Sequence, residues 1–101
     1  MPHITLEYSA NLEDPLDIAA LCAVLRDAAV ASGVFPVAGI RVRAFAATHV
    51  VVADGDPGHG FIDMAVRIGA GRDTATQSRA ADEIFEAALA YTADYMARAP
   101  F

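Results

Sequence analysis

The sequence has no lysine, only one cysteine, and no apolar run near the roughly 20 residues that a membrane-spanning helix needs. Each absence excludes something. A single cysteine, Cys22, rules out an intrachain disulfide and a cysteine-built metal cage. It stands in Ala19-Ala20-Leu21-Cys22-Ala23-Val24, an apolar setting that reads as a small core residue rather than a nucleophile. The opening Met1-Pro2-His3-Ile4 carries no basic region followed by an apolar stretch. No targeting segment is therefore read there, and a cytoplasmic protein without a membrane partner is expected. The formal charge is −6, whereas phosphate backbones call for a basic surface, so nucleic acid is not an expected partner. His3, His49 and His59 show no metal-ligand spacing. Asp54 and Asp56 look like a fragment of a calcium loop whose other ligands are missing. No metal site is expected.

What is present points elsewhere. The 101 residues suit one domain, residues 1–101, and 55% of them are hydrophobic. That share is high for a small monomer and suggests apolar surface covered by further subunits. All seven basic side chains apart from the histidines are arginines, and four of them fall between Arg41 and Arg72. Local positive charge in an acidic protein suits a small anionic ligand. The alternative is arginines spent in surface ion pairs.

Hydrophobic periodicity divides the chain into strands and helices. Ile4, Leu6 and Tyr8 alternate with His3, Thr5 and Glu7, predicting a strand over Pro2 to Ser9. A helix is expected from about Pro15 to Ser32, capped by Asp14, with an apolar stripe of Leu21, Val24, Leu25 and Ala28 and with Gly33 ending it. Pro36 and Gly39 mark a turn. A second extended segment is read from Ile40 to about Ala53, a loop over residues 54–60, and a third strand from Phe61 to Ile68. The second helix is placed at about Thr74 to Arg98, with Thr74 and Gln77 at capping-box spacing. Its expected buried stripe is Ile84, Phe85, Ala88, Tyr91 and Tyr95. The pattern predicts an α/β (α+β) two-layer sandwich of about five strands, with helices on one face of a mixed sheet and a parallel β-α-β crossover. One chain of this size cannot cover the other face, so an oligomer is expected.

Three features carry possible chemistry. Aminopeptidase removal of Met1 would expose Pro2 as a secondary amine, and chain amines titrate near about 8. An apolar site or neighbouring arginines would lower that value toward neutrality, where an amine takes and returns a proton readily. On a strand, Arg41 and Arg43 share a face and match carboxylate oxygens with their planar forks. In Ile68-Gly69-Ala70-Gly71-Arg72-Asp73-Thr74, two glycines and an arginine enter a helix, an arrangement that favours an anion. This is not a nucleotide loop, since the third glycine and a lysine are missing. Taken singly, each feature has a plain structural reading: Pro2 promoting methionine removal, paired surface arginines, and a capped turn.

Met1-Pro2-His3-Ile4, Gly33-Val34-Phe35-Pro36-Val37-Ala38-Gly39-Ile40-Arg41-Val42-Arg43, Ala53-Asp54-Gly55 and Ile68-Gly69-Ala70-Gly71-Arg72 occur in one order and cover nearly the whole chain. Together they resemble the 5-carboxymethyl-2-hydroxymuconate δ-isomerase family of the tautomerase superfamily. The resemblance implies a tautomerase fold, a homotrimer with active sites near subunit interfaces, and a further C-terminal segment that this sequence, ending at Phe101, does not contain. It implies a reaction needing no cofactor: 5-carboxymethyl-2-hydroxymuconate, from homoprotocatechuate breakdown, becomes its 2-oxo-3-ene isomer. Pro2 matches the family's proton-shuttling proline, and Arg41 and Arg72 match its carboxylate-binding arginines. Arg43, Glu7, Tyr8 and Phe35 are candidates for lining the site. The alternatives are another tautomerase acting on a simpler 2-hydroxydienoate or aryl-pyruvate enol, and a non-catalytic trimeric binding protein on the same scaffold.

Overall fold

A computed structural model describes residues 2–69 and 71–98. Strand β1 (His3–Ser9) is followed by helix α1 (Ile18–Ala31), strand β2 (Arg41–Ala47), strand β3 (Ile62–Arg67) and helix α2 (Thr74–Arg98). The sheet order is β2-β1-β3, with β1 central. β1 pairs parallel with β2, from His3↔Arg41 to Ser9↔Ala47, and antiparallel with β3, from His3↔Arg67 to Tyr8↔Ile62. The mixed sheet and the parallel crossover through α1 agree with the sequence reading.

Both helices pack on one sheet face. The even-numbered residues of β1, Ile4, Leu6 and Tyr8, are buried there, and Ile4 and Leu6 meet Leu21, Leu25, Ala29, Ala80 and Ile84. A fully buried leucine such as Leu25 contributes about 1.5–3 kcal/mol by leaving water. Cys22 is half-buried between the main core and a second cluster of Tyr8, Leu12, Leu16 and Ile18, and burial raises its thiol pKa. The odd-numbered residues form the opposite face, where Arg41, Arg43, Phe45, Asp63, Ala65 and Arg67 are exposed. Among the described residues, no helix is long and apolar enough to cross a membrane.

Several boundaries differ from expectation for physical reasons. There are three strands among the described residues, not about five. The second extended segment stops as a strand at Ala47, because β1 ends at its partner Ser9 and leaves β2 nothing to pair with. Val50 and Val51 beyond it are exposed. α1 begins at Ile18 rather than near Pro15, and its cap is Asp17, whose carboxylate accepts from the Ala20 N–H, rather than Asp14. Residues 13–16 instead close a turn in which the Leu16 N–H reaches the Leu12 carbonyl, burying both leucines. Gly33 does end α1, at φ +72°, where a side chain would be strained. α2 keeps its expected bounds, but Asp73 caps it by accepting from the Thr76 N–H, and Gln77 turns back to the Arg72 carbonyl. Hydrogen bonding from the Thr76 side chain, then from its backbone N–H, lowers the pKa of Asp73. Phe85 lies outside the buried stripe and is 52% exposed, whereas Ala80, Ile84 and Thr92 are buried.

Candidate active site

The start of β1 gathers the candidate residues. Pro2 is fully buried, and its carbonyl accepts from the Arg41 N–H at 3.1 Å, so the proline lies against the entrance to β2. On the other side, the β1–β3 ladder closes with His3↔Arg67, which brings Ile68 and Gly69 alongside Pro2. The turns feeding this end are tied together. Arg72 Nε donates to the Val34 carbonyl at 3.2 Å, and its guanidinium lies 5.2 Å from the centre of the buried Phe35 ring. Gly71 adopts φ +110°, a conformation that glycine takes without strain, and it delivers Arg72 to this position. Ala70 of the same turn lies outside the described residues.

Arg41 emerges on the open sheet face and turns back, donating to the Ala38 and Ile40 carbonyls at 2.8 and 3.0 Å. Arg43 lies on the same face, its guanidinium 3.2 Å from His3 Nδ1. A guanidinium only donates, so His3 accepts at Nδ1 and carries its proton on Nε2. Desolvation, followed by the charges of Arg67, Arg43 and Arg41, lowers the His3 pKa and favours that neutral ring. Arg41, Arg43, Arg67 and Arg72 have no carboxylate partner among the described residues. The helical Arg26 and Arg79 do, pairing with Asp27 and Glu83. Ion pairing among the described residues therefore does not account for the four clustered arginines.

Two candidates lie elsewhere. Tyr8 is roughly 20 Å along β1 from Pro2 at about 3.3 Å per residue. Its buried hydroxyl donates to Glu13. Glu7 is exposed on the open face beside Phe45 and Asp63. Arg41 and Arg43 lie at the Pro2 end of the open face, whereas Arg72 and Phe35 pack on each other on the helix side of the turns that feed it. Sequence reasoning missed His3, which it weighed only as a metal ligand, and Arg67. Alternation along β3 groups Arg67 with Asp63 and Ala65, but only its register opposite His3 puts it on the face shared with Arg41 and Arg43. An apolar groove of about 290 Å³ lies away from these groups, between β3 and α2, beneath Phe85, Leu89 and Met96.

A sequence profile of the 5-carboxymethyl-2-hydroxymuconate isomerase family matches residues 2–101. The chain belongs to that family. The 5-carboxymethyl-2-hydroxymuconate Delta-isomerase of Escherichia coli is 35% identical over 86 residues, covering 85% of this chain and 68% of the relative. A crystal structure of a 5-carboxymethyl-2-hydroxymuconate delta-isomerase superposes with a TM-score of 0.89 at 38% identity, covering 98% of this chain and 76% of the other. The family's isomerase from Deinococcus radiodurans R1 superposes with a TM-score of 0.86 at 34% identity, over 97% of this chain and 74% of that one.

Proposed function

We propose that this family member isomerises 5-carboxymethyl-2-hydroxymuconate to its 2-oxo-3-ene form, with Pro2 as the base that later returns the proton. The observation that supports the reading is the set of arginines at the Pro2 end of the sheet and its feeding turns that have no carboxylate partner among the described residues. Once Met1 is removed, the Pro2 nitrogen is a secondary amine. Cationic neighbours and an apolar wall both favour its neutral, basic form. The amine takes the 2-hydroxyl proton and delivers it to a distant carbon of the conjugated chain. Negative charge passes through the carboxylate and carbonyl oxygens, where Arg41 and Arg72 supply fixed donors. Relocating a proton consumes no electrons, so the reaction requires no redox cofactor. The two guanidiniums also align the extended anion against the proline, which converts binding into orientation.

The assembly proposed is a cytoplasmic homotrimer. Arg41 is presented on the open sheet face, while Arg72 packs on Phe35, which belongs to the helix-side core. A site that uses both is most simply completed by a neighbouring copy covering the open face, where Phe45 is 55% exposed. The test of function is the ultraviolet rate of ketonisation of 5-carboxymethyl-2-hydroxymuconate. A rate far above that in buffer is expected, and a rate equal to buffer would refute the reading. Sedimentation at micromolar concentration should give a trimer, and a monomer would contradict the shared site.

A further inference from the structure

The substrate chemistry calls for three carboxylate contacts: two at the ends of the muconate chain and one on the carboxymethyl branch. Arg41 and Arg72 account for two. Arg67 is a third cation at the same end of the sheet. It lies opposite His3 across the β1–β3 ladder, while Arg41 lies opposite His3 on the β2 side. At about 4.8 Å between neighbouring strands, Arg67 is roughly 10 Å from Arg41 across the open face. It is exposed and has no carboxylate partner among the described residues. It also lines a hollow of about 470 Å³ between the end of β3 and the first turns of α2, together with Ile68, Gln77 and Ser78. Gln77 is already committed to the Arg72 carbonyl, so the same short stretch fixes the Arg72 turn and one wall of the Arg67 hollow.

We propose that Arg67 determines specificity by binding the branch carboxylate, with the His3–Arg43 pair holding the adjoining positive surface. The assignment rests on the isomerase reading and extends it to the choice among substrates. A guanidinium placed beyond the two chain-end arginines favours a tricarboxylate over a dicarboxylate that lacks the branch. The Arg43 guanidinium, 3.2 Å from His3 Nδ1, lies on the same open face.

The test compares Arg67→Gln with the unaltered protein on two dienols, 5-carboxymethyl-2-hydroxymuconate and the unbranched 2-hydroxymuconate. Loss of a charged hydrogen bond predicts a fall of about 10- to 100-fold in kcat/KM for the branched substrate, carried mainly by KM. The unbranched substrate should stay within about twofold. Arg67→Lys should restore part of the loss, because it keeps the charge without the fork. Melting temperatures of all three proteins check that the fold is intact. Equal falls on both substrates, or no fall on either, would overturn the assignment. Equal falls together with a change in sedimentation would place Arg67 in contact between copies instead. If the unaltered protein turns over neither dienol, the isomerase reading itself fails and the assignment with it.

Discussion

The two ends of β1 handle polar groups in opposite ways. At the end near Ser9, Tyr8, Ser9, Asn11, Asp54 and His59 bond within the chain. The Tyr8 hydroxyl donates to Glu13, Ser9 Oγ accepts from the Phe61 N–H, and Asn11 donates to the His59 carbonyl. Asp54 accepts from the Asp56 N–H and meets His59 Nε2 at 2.8 Å, and these contacts lower its pKa. At the Pro2 end, Arg41, Arg43 and Arg72 are held by backbone carbonyls or by His3, and none of them has a carboxylate partner among the described residues. Self-satisfied polar groups rigidify a fold. Cations without a carboxylate partner among the described residues are available to an anion from outside, the role proposed for them above. Under the proposed function, the difference separates structure from function along one strand.

The comparison breaks most sharply at Pro2. Pro2→Ala should lower kcat by about 100-fold or more while the melting temperature changes little, read by ketonisation rates and a thermal melt. Unchanged turnover would remove Pro2 from the mechanism. Arg72→Ala should cost about 10- to 100-fold in kcat/KM, since it deletes charged contacts to the substrate, and Arg72→Lys should recover only part. Constant kcat and KM would make Arg72 structural.

At the opposite end the effects should fall on stability alone. Tyr8→Phe should lose about 1 kcal/mol with turnover intact. Its hydrogen bond to Glu13, followed by burial, pushes the Tyr8 pKa up to about 12. The folded chain thus holds this proton more tightly than the unfolded one. The resulting stabilisation is complete below about pH 10 and disappears as pH rises through 12. A melting series from pH 9 to 12 should show a steeper decline for the parent than for Tyr8→Phe. The smallest change is Asp17→Ala, which removes the α1 cap and should cost up to about 1 kcal/mol, or roughly 4–8 °C, without affecting catalysis.

Much of this arrangement is legible in the sequence, for identifiable reasons. Alternation in Ile4, Leu6 and Tyr8 marks a strand with two unlike faces, and β1 has them. The bounds of α2 follow from its long helical pattern. The limits of the β2 strand were not legible, because Val50-Val51-Val52 has strand-like composition but no partner strand to pair with. The α1 start was missed because Asp14-Pro15 and Asp17 both offer capping chemistry, and burial of Leu12 and Leu16 decides between them. At the site, Arg41 and Arg72 stand out in recognisable blocks. Tyr8 is an aromatic near the N-terminus, but strand length alone carries it away from Pro2. Arg67 becomes visible only when cross-strand register places it opposite His3.

The central claim is that the amine of Pro2 moves the proton. The most direct test compares two preparations of this chain, one verified by mass to begin at Pro2 and one retaining Met1, for ketonisation of 5-carboxymethyl-2-hydroxymuconate. Retained methionine makes the Pro2 nitrogen an amide without basicity. The account predicts rapid turnover by the Pro2-terminated chain and a loss of about 100-fold or more with Met1 in place. Equal rates from the two preparations would contradict it.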